Sequence, residues 1–203
     1  GTPMTVARAD TGEACEAGKD YEPPVDDRLF SPDVSREAPT IKVPAGSKLK
    51  DGDRVRVSYY HAVVIGGGQI SICMSEPEVY RIWETQARLL HEHLAPTKLL
   101  LSMDEIRAGG SCAACKARSK TMGEILGDCI TKQMAMLRKY NPGCEVLCWS
   151  ERLDTNHNAH GDYYIVDGDF TASWDHVPRD LILACWYYDK RDQSLPFFAE
   201  RGF

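Results

Sequence analysis

Three short, unbroken apolar runs punctuate the second half of the chain: LLLSM at 99–103, EVLCW at 145–149 and the core of DLILACWYY at 180–188. Each is too short for a helix and lacks the alternation of a half-exposed strand, so each reads as a strand of a parallel sheet covered on both faces. Segments of helical period separate them. Val79, Trp83, Ala87, Leu90 and Leu94 recur on one face of a helix opened by Ser75-Glu76-Pro77-Glu78, with an N-cap serine and a first-turn proline. Thr121-Met122-Gly123-Glu124 is a second capping box. Its helix runs to Asn141-Pro142-Gly143 with Ile125, Cys129, Met136 and Leu137 as the buried stripe. SLPFFAERG reads as a short closing helix, and VRVSYYHAVV as a strand that runs into a loop.

The first sixty residues have another rhythm. MTVARADTGEACEAGKDYEP predicts strand, a turn at Asp10-Thr11-Gly12, strand, and a second turn near Gly18. In PTIKVPAGSKLKDGDRVRVSYY, apolar Ile41, Val43, Leu49, Val55 and Val57 alternate with polar positions around Gly46 and Asp51-Gly52. The proline-rich PPVDDRLFSPDVSREAP is a long loop. These patterns divide the chain into an antiparallel β module at 1–53 and a β/α portion at 54–203. The fold class is α/β: a partial (β/α)8 TIM barrel, about half a barrel, behind a small β module. A doubly wound open sheet is the competitor. Gly66-Gly67-Gly68 leads into more strand, which argues against a phosphate loop.

Composition narrows the partners. With 203 residues, 43% hydrophobic and 27% charged, the chain has an ordinary globular balance. Its net charge of -6 argues against a nucleic-acid partner, and no apolar run is long enough to span a membrane. The start, GTPMTVARAD, carries no signal-peptide pattern, and the chain reads as a fragment of a longer protein. Of eight cysteines, Cys73, Cys129, Cys148 and Cys185 lie in apolar runs, where a thiol acts as a small hydrophobe.

In a parallel barrel the carboxyl ends of the strands point at the active site, and here those ends are chemically rich. Tyr59, Tyr60 and His61 follow the first strand; Asp104, Glu105 and Arg107 the second. Trp149, Ser150, Glu151, Asp154, His157 and His160 follow the third, and Trp186, Tyr187 and Tyr188 the fourth. Aromatic faces stack on sugar rings while carboxylates bind hydroxyls, and paired acids match glycoside hydrolysis. The expected partner is therefore a carbohydrate, with Glu105 and Asp104 catalytic. Arg107, Tyr59, Tyr60, His61, Trp149, Glu151, His157, His160, Trp174, Trp186 and Tyr188 are the expected substrate-binding residues.

The order of strand, Asp-Glu, helix, and two strands ending in tryptophan resembles the catalytic barrel of glycoside hydrolase family 20, the β-N-acetylhexosaminidases. That resemblance implies Glu105 as proton donor and Asp104 as orienter of the substrate's 2-acetamido group, whose carbonyl oxygen is the nucleophile. It also implies Trp149 and Trp186 as walls of the sugar subsite. LSMDEIR, SCAACKAR and NHNAHG resemble stretches of a group of bacterial barrel proteins regarded as glycoside hydrolases, the closer relation, over about 54–203. The family 20 signature His-x-Gly-Gly-Asp-Glu is replaced here by Leu101-Ser102-Met103 before Asp-Glu. The family's later Tyr, Asp and Trp would fall beyond Phe203.

Blander readings stand beside these. Asp104-Glu105 also fits a helix cap and first-turn acid. The stretch Asn156-His157-Asn158-Ala159-His160-Gly161-Asp162 has metal-ligand residue types, giving a metal-dependent hydrolase as one alternative; a sugar-binding module without turnover is another. Cys112-Ala-Ala-Cys115 fits a structural turn or disulfide, half a zinc site, or a redox pair, with Cys144-x3-Cys148 a poor second half. Trp83 is expected in the core, and Trp174 is either a sugar platform or packing. No metal and no cofactor are expected for the glycosidase.

Overall fold

A computed structural model describes residues 4–24, 40–59, 64–65, 69–70, 72–101, 103–163 and 165–203. It is mixed α/β and divides into two compact units, 1–70 and 71–203.

In the first unit, β1 (Thr5–Arg8) lies between β2 (Ala14–Cys15) and β3 (Val55–Ser58), antiparallel to both, with Val6 opposite Val57. The predicted turn at 10–12 forms, with Gly12 at a positive φ that closes it without a Cβ penalty. Arg8 links Asp53 at 2.8 Å and Asp10 at 3.0 Å. Tyr21, buried, donates its hydroxyl proton to the Met4 carbonyl at 3.0 Å. β3 was expected to begin the barrel; it instead completes this antiparallel sheet, because Thr5–Arg8 offers it a full edge. The division between units accordingly falls after Ile70 rather than at 53/54. The alternation at 41–49 forms no strand; Lys42 makes only an isolated bridge with Glu22, and Val43 is exposed. A small antiparallel pair, β4 (Val64–Ile65) and β5 (Gln69–Ile70), flanks the triple glycine.

The second unit opens with α1 (Pro77–Leu94), whose N-cap is Glu76 rather than Ser75, with proline in the first turn. Along it Ala87 is buried and Trp83 packs against the core, while Leu94 is exposed. Then come β6 (Lys98–Leu101), β7 (Ala108–Gly109), the single-turn α2 (Ala113–Lys116) and α3 (Met122–Tyr140). α3 begins with the predicted capping box: the Glu124 amide donates to the Thr121 hydroxyl while the Glu124 carboxylate accepts the Thr121 amide. β8 (Glu145–Trp149), β9 (Ile165–Val166), β10 (Ile182–Ala184) and α4 (Arg191–Ala199) follow.

The sheet that matters is parallel, in the order β10-β8-β6. Leu101 sits opposite Cys148, and Trp149 opposite Ala184, so the three carboxyl ends finish level. One face carries Val146 and Cys148 into the core. The other aligns Leu100, Leu147 and Ile182 in one row, with Leu100 and Ile182 exposed. The expected burial on both faces is thus seen on one.

α3 is buried over more than its predicted stripe: Leu126, Ile130 and Met134 join Ile125, Cys129 and Leu137. Gly123 and Gly127 make this possible by letting the 173–176 turn approach the helix backbone. A methyl at Gly127 would collide with the Cβ and carbonyl of His176. Glycine costs a helix interior about 1 kcal/mol relative to alanine. Overpacking a tight contact costs about 1–3 kcal/mol and wins here. Gly127→Ala is therefore expected to lower unfolding stability by about 1–2 kcal/mol in urea denaturation; a gain of stability would show that the contact is slack.

Candidate active site at the carboxyl ends of the parallel strands

The turn after β8 supplies the centre of the site. Glu151 and Arg152 follow Trp149-Ser150 directly and are 0% and 2% exposed. The Glu151 carboxylate accepts the indole N–H of Trp186, from beyond β10, at 2.9 Å. It also accepts the backbone N–H of Glu105, from beyond β6. The Arg152 guanidinium is 3.1 Å away on the same side. One carboxylate thus accepts hydrogen bonds from the ends of β6 and β10 and pairs with the guanidinium of its own turn after β8, and charge-assisted bonds of this kind are the strong ones.

Arg152 is held in turn. It donates to the Tyr163 hydroxyl at 2.8 Å while its guanidinium lies 3.8 Å from the Tyr163 ring centroid. Its carbonyl accepts the Ser173 hydroxyl. Asp154, 1% exposed, accepts the Asn156 amide at 2.9 Å on one oxygen, and its other oxygen has no hydrogen-bond partner among the described residues.

Glu105 has φ 41, a left-handed conformation that costs a non-glycine residue about 1–3 kcal/mol. That backbone turns its N–H onto Glu151, and its side chain pairs with Arg107. Asp104 is exposed. The two neighbouring acids therefore differ: one is anchored through its backbone and an arginine, and the other faces solvent.

His157 packs edge-on against Trp186, ring centroids 4.7 Å apart, and against Tyr187 at 4.6 Å. Its Nδ1 is buried with no partner among the described residues. Burial holds its pKa below the ordinary imidazole value, against the pull of Glu151 and Asp154. Trp149 is half-buried at the end of β8, and exposed Tyr188 carries the Arg191 guanidinium over its ring at 4.0 Å.

The other expected residues make different contacts or none that bear on this cluster. His160 is exposed and bonds through Nδ1 to the Gly161 carbonyl. Trp174 packs edge-on against Phe197 of α4 at 5.1 Å, the packing role of its two readings. Tyr59 is exposed at the end of β3 in the first unit. Tyr60 and His61 lie outside the described residues. His157, His160 and Asp162 gather no metal-binding set; among the described residues, the three-ligand group within reach of one ion is Cys73, Cys112 and Cys115. Cys148, proposed as a poor zinc partner, is a core thiol that burial pushes up to about 12. A cavity of about 420 Å³ lies elsewhere, among Cys115, Lys116, Met122 and Asp167.

Sequence reasoning placed Glu151 and Trp186 at the mouth but missed Arg152, whose signal was only its place beside Glu151. A scan against family models finds no match, and a search of curated proteins finds none.

The His157 environment sets a pH dependence. A histidine with a depressed folded pKa is neutral when folded, while the unfolded chain takes up a proton below about pH 6.5. Stability is fully present above about 6.5 and falls with pH toward the folded value. In urea denaturation between pH 8 and 5, His157→Phe is expected to flatten that fall; an unchanged slope would place the proton uptake elsewhere.

Proposed function

We propose that the carboxyl ends of β6, β8 and β10 form the saccharide site of a glycoside hydrolase of the hexosaminidase type. The observation that carries this reading is Glu151, which draws the Glu105 backbone and the Trp186 indole to one carboxylate. An acid and an aromatic face are then held at one mouth, the combination that sugar recognition and glycosidic cleavage require.

Roles follow from surroundings. Glu105, half-exposed beside Arg107, is the general acid/base toward the glycosidic oxygen. Asp104, the solvent-facing acid next to it, orients the substrate's 2-acetamido group. Trp186, fixed at its N–H and braced by His157, offers its ring as a platform for the sugar's apolar face. Asp154 and His157 supply buried polar atoms without partners among the described residues, which sugar hydroxyls would satisfy. The sheet fits a (β/α)8 barrel because its strands add in chain order without a reversal. The apolar row of Leu100, Leu147 and Ile182 then belongs to the inward face of that barrel.

Glu105→Gln is expected to cut hydrolysis of aryl N-acetylglucosaminides by roughly 10²–10⁴-fold while chitooligosaccharides still quench tryptophan emission. Trp186→Ala is expected to remove the quench. Unchanged sugar binding in Trp186→Ala contradicts the platform. Binding retained with no turnover in wild type would instead mark a carbohydrate-binding module.

A further inference from the structure

The sequence pairs Cys112 with Cys115, but the fold brings a third thiol to them from 39 residues upstream. The Sγ of Cys73 lies 3.3 Å from that of Cys112 and 3.7 Å from that of Cys115, and all three sulfurs fall within 4.8 Å of one another. Cys73 precedes α1, Cys112 caps α2, and Cys115 lies within α2. All three belong to the second unit.

We infer that Cys73, Cys112 and Cys115 form a zinc-thiolate site that ties the segment before α1 to the loop carrying α2. Zn–S bonds of about 2.3 Å in tetrahedral geometry put sulfurs about 3.8 Å apart, close to the spacing here. A four-iron cluster spreads its cysteines farther, because each binds a different iron. Soft thiolates select zinc over hard cations. Backbone donors are already aimed at the sulfurs: the Ser75 amide at Cys73 and the Cys115 amide at Cys112, both at 3.4 Å. Such outer-shell hydrogen bonds hold metal-bound thiolates in place. The Ser75 hydroxyl, 3.3 Å from Cys115 Sγ, is placed to hydrogen-bond that thiolate, and the fourth position falls to water. Cys112 is exposed, which leaves the sulfurs open to an ion from solvent, and Cys115 lines the cavity of about 420 Å³. On binding, each ligating thiol exchanges its S–H bond for an S–Zn bond and releases its proton to solvent.

This site is independent of the saccharide reading, and its test uses metal alone. The reduced 203-residue chain is expected to bind one equivalent of Zn²⁺ in competition with a chromophoric chelator. Co²⁺ in its place should give thiolate charge-transfer absorption and the visible bands of tetrahedral cobalt. Cys73→Ser and Cys112→Ser should each weaken zinc binding on the order of 100-fold or more, while Cys15→Ser leaves it unchanged. Cys112 is exposed, so Cys112→Ser should keep the wild-type far-UV circular dichroism and report binding rather than folding. Absence of zinc binding by the reduced wild type overturns the site, as does binding that survives both substitutions. A Cys73–Cys112 disulfide that forms in air, with no zinc uptake after reduction, overturns it too.

Discussion

A buried carboxylate cannot stay in a protein interior without donors, and the second unit is organised around that constraint at Glu151. Stripping water from such a group costs several kcal/mol, which only converging hydrogen bonds and an opposite charge offset. Glu151 meets it with an indole N–H, a backbone N–H and the adjacent guanidinium. The two hydrogen-bond donors arrive from the ends of β10 and β6, so satisfying one side chain after β8 ties three loops together. The level finish of the parallel strands makes this reach possible.

The consequences spread outward by packing. Arg152 is committed to Glu151 and to the Tyr163 ring, and the Ser173 hydroxyl on its carbonyl links this layer to the 173–176 turn. That turn sits on α3 only because Gly123 and Gly127 leave room. The strained backbone of Glu105 is tolerated because its amide is satisfied by Glu151. Strain held by its surroundings at a polar mouth is common where a site must be preorganised. The thiol cluster acts differently, since a metal tie would join directly two segments that already meet in one apolar core.

Local signals were legible in the sequence; long-range partners were not. The Thr121–Glu124 capping box and the strand at 145–149 were readable because hydrogen bonds within four residues and an unbroken apolar run define them. The strand ends were readable because polar residues stop apolar runs abruptly. The allegiance of Val55–Ser58 was not, because a short strand pairs with whichever edge the fold offers, here one fifty residues away. Cys73 looked like a core thiol for the same reason: its neighbours in sequence are apolar, and its partners lie far along the chain. Arg152 was overlooked because a buried ion pair leaves no periodic trace.

The most direct measurement follows the backbone amide of Glu105 and the indole N–H of Trp186 by ¹⁵N–¹H NMR in wild type and Glu151→Gln. Trp186→Phe identifies the indole among the four tryptophans. Loss of the charged acceptor weakens both hydrogen bonds. Both protons are expected to move upfield together in Glu151→Gln, with the other three indoles unmoved. If neither proton moves, Glu151 does not join the strand ends and the account of the site fails.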